Sequence, residues 1–201
     1  MEEITIAGAG SISVLIYLLC QLPAIAGALL LARYFRCRNR FEYLAAAGLL
    51  FTAVMIAIPG VLGMAGLLTP SGVMFASWGF GAAAFLAKPK RPAAGLPFQP
   101  FTPAELLLTA VAWGFLVCQW RAFSLVPTVG TDSQLYHIFY PATWLRTGSI
   151  ERMTQHGMMT ATYPFYGELI YAWQMAPLLH DFFARSFQFY FLGLAWITLA
   201  A

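Results

Sequence analysis

The sequence predicts an all-α, polytopic transmembrane helical bundle with a short extracytoplasmic loop that carries interfacial helices. Three observations predict it. Of 201 residues, 60% are hydrophobic and only 9% are charged, whereas a soluble domain is about 25% charged. The apolar residues come in long continuous runs rather than in alternation, which favours helices over a barrel. Most of the cations sit in two short clusters between those runs. A bilayer's hydrocarbon core is about 30 Å thick and takes roughly 20 apolar residues of helix to cross. Backbone groups inside it must find their partners within the protein.

The first predicted span runs from about Ile4 to Leu31 and contains Gln21 and Pro23, where a kink is expected. The cluster Arg33, Arg36, Arg38 and Arg40 follows it. A second span covers about Tyr43 to Leu68, with Pro59-Gly60 as a further kink, and a tight turn at Thr69-Pro70-Ser71-Gly72 leads into a third, about Val73 to Ala87. The third is short and rich in small residues (Gly79, Gly81, Ala82 to Ala84), which suits close helix packing. The loop from Lys88 to Pro103 holds Lys88, Lys90, Arg91 and five prolines, and a fourth span runs from about Ala104 to Val126.

Cytoplasmic loops are enriched in Lys and Arg. Seven of the eleven such residues fall in the loops after spans one and three, so both loops share the cytoplasmic side. The N-terminus, the turn at Pro70 and the segment from Pro127 to Pro164 then lie outside. The net charge of +3 reads as topology and not as a nucleic-acid footprint. Met1-Glu2-Glu3 lacks the basic start of a signal peptide. Cys20, Cys37 and Cys118 have no metal-ligand spacing, and no disulfide is expected among them.

Two apolar stretches close the chain, about Phe165 to Leu179 and Phe182 to Ala201, divided by His180-Asp181. The first is short for a span and suits the interface. The second stops in mid-run, which predicts the N-terminal part of a longer protein or a truncated copy of one. The organisation is thus residues 1–103, three spans with basic loops, and 104–201, a span, the outer loop 127–164 and the following helices.

The outer loop is the informative stretch. It reads Gly130-Thr131-Asp132-Ser133-Gln134-Leu135-Tyr136-His137, then Pro141-Ala142-Thr143-Trp144-Leu145 and Gly148-Ser149-Ile150, followed by Tyr163-Pro164, Glu168-Leu169 and Gln188. Over about residues 104–201 this resembles the first extracytoplasmic loop of the GT-C superfamily of membrane glycosyltransferases. Its closest likeness is to bacterial members that look like dolichyl-phosphate-mannose-protein mannosyltransferases. In that family a span leaves the membrane, an acidic residue follows within a few positions, a short interfacial helix comes next, and a Tyr-Pro or Pro-Pro segment opens another helix. Val126, Asp132, the stretch from Tyr136 to Leu145, and Tyr163-Pro164 match those parts in order. The resemblance implies a GT-C-like fold in a bacterial-type inner membrane and transfer of a sugar from a polyprenyl-phosphate donor to an acceptor hydroxyl on a glycan, lipid or protein. Many members carry two acidic residues here. This chain has a single Asp132 after Gly130-Thr131, so a divalent metal is disfavoured and no cofactor is required by the pattern.

Such a transfer needs a base within reach of the acceptor's proton and donors near the departing phosphate. Asp132 follows the end of a span by about six residues, the depth of a lipid-linked headgroup. It is the expected catalytic base. Arg121, near the outer end of the same span, can grip a phosphate with two hydrogen bonds, and Arg146 and Arg152 are second choices for that role. If a helix starts at Asp132, Tyr136, Tyr140 and Trp144 follow at four-residue spacing on one face, with Pro141 interrupting or kinking it. That stripe could hold a sugar ring. His137 and Glu168 complete the expected substrate-binding set.

Each residue also has an ordinary structural reading. Thr131-x-x-Gln134 is a capping-box pattern in which Asp132 sits in the first turn. The aromatic stripe fits an interfacial belt, and Arg121 can snorkel to the headgroups. His137 falls off the Asp132 face and suits a structural hydrogen bond. Glu168 stands near a helix start, where a carboxylate is favourable. His156 with Met153, Met158 and Met159 lacks regular metal-ligand spacing. A non-catalytic membrane scaffold or partner subunit is therefore the alternative reading. A transporter ranks last, because Gln21 and a few hydroxyls are the main polar groups near mid-span.

Overall fold

Capping residues set the helix ends. The computed structural model describes residues 11–87, 102–118 apart from 104, 105, 108, 112 and 116, 139–150, and 166–199 apart from 180, 182, 183, 185 and 186. The fold is all-α, and the elements are α1 (Ser11–Ala32), α2 (Arg40–Met64), α3 (Pro70–Leu86), α4 (Phe139–Thr147), α5 (Tyr166–Met175) and α6 (Phe187–Leu199). The described positions between 103 and 118 are helical as well.

Helix α2 starts at Arg40, three residues before the expected Tyr43, because Asn39 caps it. The Asn39 side chain accepts from the Glu42 N–H at 2.9 Å, and a Glu42 carboxylate oxygen accepts from the Arg38 N–H at 2.5 Å. The first bond satisfies an N–H group that the first turn leaves without a helical partner, and the second ties down the residue before the cap. It ends at Met64 rather than Leu68. Gly66 adopts φ +71°, Leu67 N–H donates to the Leu62 carbonyl at 2.8 Å, and Gly66 N–H donates to the Gly63 carbonyl at 3.3 Å. That is a Schellman ending, which needs a residue at ease with positive φ. Helix α3 begins at Pro70, inside the expected turn. Thr69 accepts from Gly72 N–H at 3.0 Å, and proline at the first helical position forgoes an N–H that would have no helical partner anyway. Helices α1 and α2 each run through their prolines, Pro23 and Pro59, as single elements.

Among the described residues, two helices are long and apolar enough to cross a membrane, residues Val14–Ala32 and Arg40–Met64. Only 28% and 33% of their most apolar windows are buried inside the protein. A core helix of a soluble protein would be mostly covered. Here Leu15, Leu22, Leu49 and Val61 stay more than half exposed.

Helix α1 packs most closely on α3. Ser77 and Val73 of α3 are fully buried, and the Ser77 hydroxyl donates to the Cys20 carbonyl. That carbonyl neighbours the one on Leu19 whose helical donor Pro23 lacks. A Cβ on Gly81 would lie 2.8 Å from the Pro23 carbonyl oxygen, so the two backbones touch there. The small residues expected to allow close packing do so at Gly81.

Hydrogen bonds fix what lies at each end of the bundle. The Tyr34 hydroxyl, just after α1, donates to the Ala87 carbonyl at 2.8 Å, so the arginine loop and the end of α3 share one end. At the other end, Leu68 N–H donates to the Gly148 carbonyl at 2.8 Å and Ile150 N–H to the Gly63 carbonyl at 3.1 Å. Segment 148–150 is thus stitched to the turn before Pro70. Gly148 has φ +77° there, and a Cβ would lie 3.2 Å from the Gly66 carbonyl oxygen.

Helices α5 and α6 run in succession along α2, antiparallel to it. Leu169 lies against Gly60, Gln174 reaches Met55, and Tyr190 donates to the Gly48 carbonyl at 2.5 Å. Between them the chain breaks. Residues 176–179 form turns, Leu179 adopts φ 51°, and Ala176 and Ala184 are wholly buried.

Candidate functional site

The short helix α4 forms a shelf at the Pro70 end. Pro141 lies in its first turn, where its missing N–H costs no helical bond. Tyr140 and Trp144 lie one turn apart on one face, as the four-residue spacing predicts. Both are buried, and their rings stack with centroids 6.0 Å apart and planes 15° apart. They belong to one core cluster with Leu68, Val73, Ile170 and Trp173, so their faces are occupied by protein. Arg146, in the last turn of α4, is exposed, and a cation there is favoured by the carbonyl end of the helix.

Helix α5 packs against α4. Glu168 stands in its first turn, only 8% exposed, where the positive end of the helix favours a carboxylate. Tyr171, one turn on, lies within side-chain reach of Gln188 at the start of α6. Gln188, quoted from the sequence beside the outer-loop motifs, thus sits where the two halves of the broken segment meet.

Below Glu168 lies a polar cluster buried among apolar helices. Trp173 Nε1 donates to Gln21 Oε1 at 2.7 Å across 152 residues of sequence. The Tyr17 hydroxyl donates to Gln174 Oε1, and Gln174 Nε2 reaches Met55 Sδ at 3.5 Å. Gln21 and Gln174 are 4% and 6% exposed, and Gln21 Nε2 has no hydrogen-bond partner among the described residues. In an apolar surrounding, an unmade bond of that kind costs about 1–3 kcal/mol. Sequence reasoning singled out Gln21 but missed Tyr17, Trp173 and Gln174. The usable signal was the pair of amides within apolar runs, since polar groups in such runs face protein rather than lipid.

Of the residues expected to form the site, Asp132, Arg121, Tyr136 and His137 lie outside the described residues, as do Arg152 and His156. The structure brings Tyr140 and Trp144 together and sets Glu168 on the helix that packs against theirs. Among the described residues no three His, Cys, Asp or Glu side chains converge to hold a metal ion. No family model, no curated protein and no solved structure matches the chain. The reading therefore stands on residues and geometry.

Proposed function

We propose that this protein is a polytopic membrane glycosyltransferase of the GT-C type that moves a sugar from a polyprenyl-phosphate donor to an acceptor hydroxyl on the extracytoplasmic side. The observation that carries the reading is the order of parts at the Pro70 end. A nine-residue helix, α4, is followed after Tyr163-Pro164 by a helix that starts at Tyr166 and descends along α2. That order fits the interfacial helix and re-entering helix that the resemblance implies. The backbone stitching of 148–150 to the turn before Pro70 supports a common side for both, in line with the charge rule.

In this reading Asp132 takes the acceptor's proton. Arg121 holds the departing phosphate, and Tyr136, His137 and Arg146 line the approach. Tyr140 and Trp144 act from below by stiffening the shelf, since their rings are spent on packing. Glu168 anchors the start of α5. No metal is invoked.

The test is Asp132→Asn in the full-length protein, assayed with a radiolabelled polyprenyl-phosphate sugar. A positioned base contributes about 10²–10⁴-fold, so turnover should fall by that order while donor binding persists. Unchanged turnover at normal expression would rule out the base role. One observation favours a second reading, a non-catalytic scaffold: the described aromatic residues of the stripe are buried in the core. That reading predicts donor binding without product in the wild type.

A further inference from the structure

The arginine end of the bundle carries a groove far along α2 from Glu168 and α4. It opens between the last turns of α1, the first turns of α2, and α6, with Trp113 on its rim. Its volume is about 360 Å³, at the small end of ordinary ligand pockets, which run about 300–1,000 Å³. The lining is apolar except for the Tyr190 hydroxyl and the Trp113 indole N–H, and the hydroxyl is already engaged by the Gly48 carbonyl and Thr52. A polar ligand finds little to bond inside it.

The charge is at the mouth. Leu29 lines the groove, and Arg33 follows it by one helical turn. Leu44 lines the facing wall, and Arg40 opens α2 one turn earlier. Arg33 and Arg36 are exposed. Along the chain, then, Arg33 and Arg40 stand about one helical turn, roughly 6 Å of helix axis, from the residues that wall a dry slot, and Arg36 lies in the same short loop. We infer that the groove holds an anionic phospholipid, with one acyl chain in the slot and the phosphate on Arg33 and Arg36. The ligand chemistry follows from the pairing. An acyl chain satisfies the apolar wall. A headgroup carrying net negative charge satisfies the arginines, each worth about 1 kcal/mol near such a surface. The inference rests on the bundle crossing a bilayer and not on the transfer reaction.

The groove can be filled without disturbing the fold. Gly193 lines it, and a Cβ there would meet nothing within 4 Å. The experiment uses the full chain in nanodiscs of phosphatidylcholine, titrated with phosphatidylglycerol bearing brominated acyl chains. Quenching assigned to Trp113, as the difference between wild type and Trp113→Phe, reads occupancy. The expected result is saturable quenching by phosphatidylglycerol and a much weaker response to brominated phosphatidylcholine. Gly193→Leu should abolish the saturable phase with the helical circular dichroism unchanged. The double change Arg33→Gln with Arg36→Gln should weaken binding roughly ten- to thirtyfold. Ala82→Leu, in a second apolar groove between α1 and α3, should change nothing. Equal quenching by both lipids would overturn the inference, leaving an ordinary lipid annulus. So would full binding by the Gly193→Leu protein, which would leave a surface charge effect alone.

Discussion

Helix α1 is held on two sides by different means. Against α3 it relies on closeness: Gly81 sits on the Pro23 carbonyl, Ser77 bonds the Cys20 carbonyl, and Val73 is fully covered. Against α5 it relies on long polar side chains: Trp173 donates to Gln21 and Tyr17 donates to Gln174. Where helices cross a bilayer, hydrocarbon gives no hydrophobic reward for their association, and packing and hydrogen bonds must supply it. The first seam has little room for added atoms. The second is vulnerable above all to the loss of a partner, because its amides are already in an apolar place.

The largest effect should come at the close seam. Gly81→Leu forces atoms into the Pro23 carbonyl, and the overpacking should cost about 2–3 kcal/mol in reversible unfolding in mixed micelles. It should also open Cys20, now 1% exposed, to N-ethylmaleimide. Wild-type unfolding with Cys20 still protected would mean that the seam is looser than its geometry.

Next comes the polar seam. Trp173→Phe removes the donor to Gln21 and should cost about 1–2 kcal/mol, leaving Cys20 protected. Gln21→Leu combined with Trp173→Phe should recover part of that loss, since no amide then remains unpaired. A double-mutant cycle with zero coupling would show the two side chains to be independent.

Ser77→Ala takes one hydrogen bond from the close seam and should cost only about 0.6 kcal/mol. If it costs more than Trp173→Phe, the contrast between the seams is reversed. The smallest effect is expected at neither seam. Partial burial, and then the Glu42 carboxylate, push the Cys37 thiol above its ordinary pKa. Only the thiolate is alkylated, so labelling of Cys37 should rise with pH. Glu42→Gln removes the negative charge and should speed it modestly at neutral pH. Gly81→Leu should leave it unchanged, which makes Cys37 the internal control.

Much of the fold was legible along the chain: the long apolar runs marked out the helices, Thr69-Pro70 marked the break before α3, and the small residues of α3 announced a close approach. Sequence reasoning passed over Asn39-x-x-Glu42 and the glycine at 66, which end α2 within four residues on either side. Where the sequence-based boundaries were off, the reason was local: they followed hydropathy, and the caps overrode it. The site was less legible. The four-residue spacing of Tyr140 and Trp144 placed them on one face correctly, but spacing does not say what that face meets. The described structure turns it into the core.

The sequence by itself determined an apolar helical protein with its cations gathered between long apolar runs, because composition and period are properties of the chain alone. Tertiary structure decided which polar groups meet. Gln21 finds Trp173 152 residues away, and Gly148 docks beside Gly66. Such pairings depend on how α5 and α4 lie against α1 and α2, and no local pattern encodes a contact between distant helices.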